Sequence, residues 1–221
     1  MKPLYSELLA PIPQLAHGFG WQSISLEEML PADVKTFSTK QVHGDVIAIL
    51  EDKGEKCFAP TKDLIEADAF ITNQAQLACA IRTADCVPLL MCDPQQRVVA
   101  AVHAGWRGTA ENIAVKTVQK MCTVYGCEPE NILVAIGPSI CGSCYEVGPE
   151  VVQAMQNLGY KNPSQTHVDV TEVNKFTLLQ AGVKAANIEL LNVCTKCSGK
   201  PLASYRRDGS GARQVSFIFL K

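Results

Sequence analysis

The stretch that decides the fold is TADCVPLLMCDPQQRVVAAVHAGWRGT, residues 83–109. Its two apolar runs, 87–92 and 98–103, read as strands with only a turn between them, so a regular alternation of strand and helix does not describe the chain. Five further runs, 46–50, 77–81, 132–136, 188–193 and 215–220, have the same apolar, often β-branched character and also read as strands. Helices fall between them. Ile113, Val118, Met121 and Tyr125 approximate a helical face entered at Thr109, a residue able to cap the first turn, and ended by Gly126. Pro149 opens a second helix running to Gly159. A third spans 172–181, with Asp169 and Thr171 at its entry, Val173, Phe176 and Leu179 on its buried side, and Gly182 at its exit. Residues 162–165 read as a loop and 53–61 as an exposed surface loop. The expected fold class is α+β.

The same stretch carries the first chemistry. Cys86 and His103 border the two strand-like runs beside sharp turns, and a thiolate with an imidazole suits zinc or copper rather than magnesium or calcium. Taken alone, such a pair reads as a buried thiol and a hydrogen-bonded histidine at a strand end. The neighbours reverse that reading: Asp85 precedes Cys86, and Gly105, Trp106, Arg107 and Gly108 follow His103, concentrating charge, aromatic surface and permissive backbone. With only four histidines in the chain, His43 in KQVHGDVIAIL is the expected third ligand. Three protein ligands leave one position open, the coordination with which a metal activates water. Without a metal, Cys86 paired with His103 would instead resemble a cysteine nucleophile and its base.

Arg107 is able to grip a phosphate or developing anion with its planar fork, and is equally readable as half of a surface ion pair. Tyr205, Arg206, Arg207 and Asp208 precede a glycine-bearing turn that could aim a guanidinium into a cleft, and one of the two arginines is equally readable as solvated. Two C-x-x-C pairs, Cys141 with Cys144 and Cys194 with Cys197, invite a zinc-ribbon reading. The segment between them is far longer than the usual fifteen to twenty or so residues and holds two expected helices, which weighs against a structural four-cysteine site. Cys57, Cys79, Cys92, Cys122 and Cys127 read as core or loop thiols.

Composition narrows the function classes. The 221 residues are 47% hydrophobic, enough to bury a sizeable core, and a single unit covering 1–221 is expected. A net charge of −2 and a pI of about 6.1 provide no broad field for a nucleic-acid backbone, which favours a small-molecule substrate. No window approaches the roughly twenty apolar residues of a membrane span. The N-terminal MKPLYSELLAPIPQLAHGFG lacks the uninterrupted apolar core of a signal peptide. Ten cysteines are then expected to be mostly reduced, and the expected compartment is the cytoplasm.

The motifs KQVHG, ADAFIT, TADCVPLL, AAVHAGWRGT, IGPSI, CYEVG, CT and SYRRDG, in this order from about Lys40 to the C-terminus, closely resemble the YfiH-like, or laccase-domain, family. Its members are labelled purine nucleoside phosphorylases, polyphenol oxidases or peptidoglycan editing factors. HAGWRG is especially specific. The resemblance implies a compact α+β fold of mixed, layered sheets with flanking helices, and a metal at His43, Cys86 and His103, zinc with copper as the alternative. It implies phosphorolysis of adenosine, inosine, guanosine or methylthioadenosine with inorganic phosphate as co-substrate, and deamination of adenosine. His43, Cys86 and His103 are the expected catalytic set; Asp85, Arg107, Cys144, Arg206 and Arg207 are the expected substrate contacts. No nucleic-acid or membrane partner is expected, and the chain is expected to be a monomer or small homo-oligomer.

Two departures stand out. Residues 1–39 form a shortened N-terminal segment: where the family carries a longer stretch resembling HGFSTRxGGVS, residues 17–25 read HGFGWQSIS, without that arginine and glycine pair. The family's FFSYRRDG is LASYRRDG here, so Leu202 and Ala203 replace two aromatic residues, which implies weaker stacking on a purine or phenol ring. Besides the nucleoside reactions, the residues leave open a copper oxidase of phenols, a hydrolase editing cell-wall precursors, and a noncatalytic metal- or redox-responsive module. Dioxygen reduction by several coppers is poorly served by four histidines.

Overall fold

The computed structural model describes residues 2–22, 24–36, 40–51 and 66–221, so the expected loop at 53–61, with Cys57 in it, lies outside the described residues. In chain order the elements are β1 (Leu15–Phe19), α1 (Leu26–Met29), β2 (Lys35–Thr36), β3 (Ile47–Ile49), β4 (Ala69–Thr72), β5 (Leu77–Thr83), β6 (Val87–Asp93), β7 (Val98–Ala104), α2 (Trp106–Ala110), α3 (Ile113–Tyr125), β8 (Leu133–Ile136), α4 (Pro149–Asn157), α5 (Val170–Gln180), β9 (Ile188–Leu190), α6 (Tyr205–Asp208) and β10 (Gln214–Leu220). The fold is α+β. Four strands pair in the order β1-β10-β5-β2 and six in the order β3-β4-β7-β6-β8-β9. Both sheets are mixed, with parallel pairs at β2/β5, β3/β4 and β8/β9.

Every residue of β6 and β7 is buried, because the larger sheet is covered on both faces. Val87, Leu89 and Met91, with Val98, Ala100 and Val102, join a core shared with α3, α4 and α5. The alternate residues Leu90, Cys92, Val99 and Ala101 pack with Phe19, Leu77, Ile81 and Ile218 between the sheets. The two-residue period therefore sorts side chains between two cores rather than between core and water. Burial pushes the thiol of Cys92 up to about 12, so it stays a neutral packing group.

Several boundaries differ from the sequence expectation. β9 ends at Leu190 rather than at 193, since Asn192 adopts φ 52°, which breaks the extended backbone. β1, β2 and β4 were not among the expected strands: β1 contains His17 and Gly18, and β2 and β4 are only two and four residues long. Thr109 does not cap α3. Gly105 turns the chain straight from β7 into α2, Asn112 breaks the helix at φ 59°, and α3 starts at Ile113. The Thr109 hydroxyl instead accepts a 2.9 Å bond from Asn174 Nδ2, tying α2 to α5. α5 buries Val173 as expected, but the rest of its buried face is rotated from the expected one. Asn174 and Thr177 are buried with partners at 2.8–3.0 Å, whereas Leu179 is 38% exposed and Phe176 lies against Tyr160.

Gly126 ends α3 as expected, at φ 69° with its N–H donating 3.0 Å to the Cys122 carbonyl. A Cβ there would meet no atom within 4 Å, so the cost of Gly126→Ala is conformational alone. Urea unfolding is expected to show a loss of about 1 kcal/mol, and Gly126→Asn a smaller one.

Candidate metal centre and its cavity

The antiparallel register of β6 and β7 sets Pro88 opposite His103 and Val87 opposite Ala104, so Cys86, just before β6, lies beside the end of β7. His43 arrives from the segment preceding β3, with φ 61°. The third group organising the site is Asp68, immediately before β4 and wholly buried. Its carboxylate accepts the backbone N–H groups of Val42, His43 and Gly44 at 3.1, 3.0 and 2.9 Å, and its Oδ1 lies 2.7 Å from His103 Nδ1. Asp68 therefore holds the His43 loop and the Nδ1 edge of His103 with a single side chain. No site role was drawn for Asp68 from the sequence; the signal available was a carboxylate inside the apolar ADAFIT run.

Donor atoms of His43, Cys86 and His103 all lie within 4.8 Å of one another. Tetrahedral zinc, with bonds of roughly 2.0–2.3 Å, separates its ligand atoms by about 3.3–3.8 Å, so the three donors are close enough to share one ion. The two imidazoles meet edge to face, centroids 4.8 Å apart. Gly105 permits this approach: a Cβ there would stand 3.2 Å from His43 Cδ2 and 3.3 Å from Cys86 Sγ. With its Nδ1 directed at Asp68, His103 has Nε2 left for coordination, the arrangement by which an outer carboxylate orients a metal-binding histidine.

The electrostatics favour a thiolate at Cys86. Burial raises the Cys86 thiol, but hydrogen bonds and charge from His103 and His43 outweigh it and bring the pKa down to about 6. Burial lowers His103, but Asp68 and Cys86 outweigh that and raise it to about 9. The pair thus favours a thiolate beside a protonated ring, and a metal held by these residues would take the place of the His103 proton.

The three donors line a cavity of about 660 Å³ that also receives Trp106, Tyr145, Ile140 and Val170, apolar and aromatic surface within the size range of small-molecule sites. Its charged lining is mostly cationic. The Arg107 guanidinium sits 4.4 Å above the Trp106 ring and that of Arg206 4.7 Å above the Tyr145 ring. Arg82, Arg213 and Lys40 also reach the cavity, though Lys40 pairs with Glu66 at 2.7 Å. Asp85 lines it too, with one oxygen accepting from Thr195 Oγ1 at 2.6 Å and the other from the Arg206 backbone N–H at 2.7 Å.

Two expected substrate contacts stand elsewhere. Arg207 reaches Asp208 through two bonds of 2.7 Å and donates to the carbonyls of Thr195 and Leu202 at 2.8 and 2.7 Å, so its side chain clamps the turn. Consecutive helical residues point about 100° apart, and only Arg206 of the pair reaches the cavity. Cys144 lies with Cys141, Cys194 and Cys197, outside the cavity lining. Leu202 and Ala203 are wholly buried and also outside that lining.

A family model described as multi-copper polyphenol oxidoreductase laccase matches residues 23–221. The chain belongs to this laccase family. An adenosine deaminase from an unknown prokaryotic organism is 35% identical over 194 residues, covering 82% of this chain and 74% of the relative. A purine nucleoside phosphorylase of Clostridium acetobutylicum is 37% identical over 190 residues, covering 82% and 75%. Among solved structures, the hypothetical protein YfiH of Bacillus licheniformis superimposes with a TM-score of 0.85 at 28% identity, covering 94% of this chain and 93% of that one. YlmD from Geobacillus stearothermophilus gives 0.82 at 28% identity, covering 96% and 93%.

The family description speaks of several coppers, but this member's imidazoles converge only at the three-donor centre. Of the other two histidines, His17 is buried and accepts the Ser6 N–H at 2.9 Å, while His167 bonds its own neighbour Thr166. The donor set fits one soft ion at His43, Cys86 and His103. Among the described residues no helix is long and apolar enough to cross a membrane.

Proposed function

We propose that this chain is a zinc-dependent purine nucleoside phosphorylase acting on adenosine, inosine, guanosine and methylthioadenosine, with adenosine deaminase activity. The observation carrying the reading is the convergence of His43, Cys86 and His103 at the wall of a cavity that also presents aromatic surface and arginines. The relatives named purine nucleoside phosphorylase and adenosine deaminase support an enzyme that processes nucleosides.

Zinc held by His43, Cys86 and His103 would supply Lewis acidity and lower the pKa of water toward neutrality. Trp106 and Tyr145 offer flat surface to the base, and Ile140 and Val170 exclude water from its edge. Arg107 and Arg206, each backed by a ring, present planar donors to phosphate, which forms its bond to C1′ of the ribose as the bond to the base breaks. In deamination, water adds at C6 of adenine and ammonia leaves. Asp68 and the backbone it grips keep His43 and His103 in place throughout.

Protein loaded with zinc is expected to convert adenosine to adenine and ribose 1-phosphate only when phosphate is present, and to inosine and ammonia without it. No turnover at full zinc occupancy would defeat the reading. Stoichiometric copper with phenol-dependent oxygen uptake would replace it with an oxidase.

A further inference from the structure

The two C-x-x-C pairs, far apart in sequence, are brought together by the sheet. β8 and β9 are parallel neighbours, so both chains leave the sheet on the same side. They stay paired just beyond it: the Ser139 N–H donates to the Val193 carbonyl at 3.2 Å, and the Thr195 N–H to the Ser139 carbonyl at 3.0 Å. The first pair follows β8 and the second follows β9, and the Sγ atoms of all four cysteines lie within 4.8 Å of one another. The four are free thiols. Spacing along the chain argued against a shared site because it took the segment between the pairs as an obstacle; α4 and α5 lie in that segment and pack on the sheet, and the parallel pairing cancels the separation.

The local backbone has the form of two turns facing each other. Cys141 precedes a 3-10 turn at Gly142–Cys144, closed by the Cys144 N–H on the Cys141 carbonyl at 3.0 Å. Cys194 Sγ accepts two backbone N–H groups at 3.4 Å, from Cys141 across the gap and from Cys197 within its own turn. Such bonds favour a thiolate, the form that binds metal. Four sulfurs around zinc, with bonds of about 2.3 Å, stand roughly 3.8 Å apart, a separation the cluster reaches with little movement.

We propose that Cys141, Cys144, Cys194 and Cys197 hold a second, structural zinc ion that clasps the loops behind the cavity. The site shares no residue with the three-donor centre, and four thiolates leave no open position, so its role is mechanical. What it clasps matters to the cavity. The first loop carries Ile140 and Tyr145 to the lining, and the second carries Thr195, which bonds Asp85 and accepts from Arg207.

The test uses the full chain, prepared under reducing conditions, loaded with zinc and freed of excess. Elemental analysis is expected to find about two zinc ions per chain in the wild type, one in Cys197→Ser, and one in His103→Ala. Cobalt loading of the wild type needs no variant. It should show the sulfur-to-cobalt charge-transfer band and the intense visible absorption of a tetrahedral four-thiolate site, both retained in His103→Ala. A single wild-type equivalent that disappears in His103→Ala, cobalt spectra with no four-thiolate signature, or intact mass showing disulfides among the four cysteines in the reduced, zinc-loaded protein would overturn the proposal. Failure of the nucleoside assays would leave it untouched, since no readout here is turnover.

Discussion

His103→Ala is expected to abolish adenosine turnover with and without phosphate and to remove one equivalent of zinc. The ring is only 3% exposed and links the Asp68 carboxylate to the donors Cys86 and His43. Alanine leaves two donors on separate loops, too few to hold a soft ion against bulk water, and removes the imidazole that draws the Cys86 proton off. On the proposed reading, kcat/KM should fall on the order of 10³-fold or more, which corresponds to at least about 4 kcal/mol of transition-state stabilisation. Initial rates and metal content measured on one preparation check both halves. A variant that keeps its zinc and works within tenfold of wild type would show that the ring serves packing alone. His43→Ala should lose metal to a similar degree with a smaller stability cost, because His43 is exposed.

Asp68→Ala is expected to be the most destabilising substitution near the site. It removes the acceptor of three backbone N–H groups and the partner of a buried histidine. Breaking a buried charged pair costs about 3–5 kcal/mol, and loss of an outer-shell partner lowers metal affinity about 10–100-fold. Asp68→Asn keeps an acceptor and should lose less stability while still weakening the metal site. Acid unfolding separates the two contributions. Burial works to raise the Asp68 pKa, but the bonds from His103, Gly44 and Val42 outweigh it and hold the carboxyl below its ordinary value. Its stabilisation is therefore complete above the ordinary carboxylate range and disappears as pH falls through the lowered folded value. The wild type should lose more stability on acidification below about pH 4 than Asp68→Asn does. Equal acid dependence in the two proteins, at equal metal content, would place the ionised Asp68 outside the stability balance.

Much of this fold was legible locally. The strands at 77–81, 87–92, 98–103, 132–136 and 215–220 announce themselves because each is a predominantly apolar run. Gly126 and Pro149 punctuate helices through their own backbone preferences. The choice of His43, Cys86 and His103 as donors came from side-chain chemistry, in which soft ligands are few and conspicuous, and the fold brings those three together. The face of α5 was not readable in the same way. Its buried Asn174 is polar, and its amide is satisfied by the Val170 carbonyl of its own helix and by Thr109 on another helix, a partner the local sequence does not show.

By itself, then, the sequence determined which segments are apolar enough to be strands and which side chains are soft enough to bind a metal, because both are properties of residues and their near neighbours. The tertiary structure alone decided that Asp68 is the anchor of His103, that Arg206 rather than Arg207 reaches the cavity, and that four cysteines on two distant turns meet. Each of these depends on strand pairing or helix rotation between residues far apart in the chain, and a carboxylate, guanidinium or thiol carries no local mark of the partner that pairing will give it.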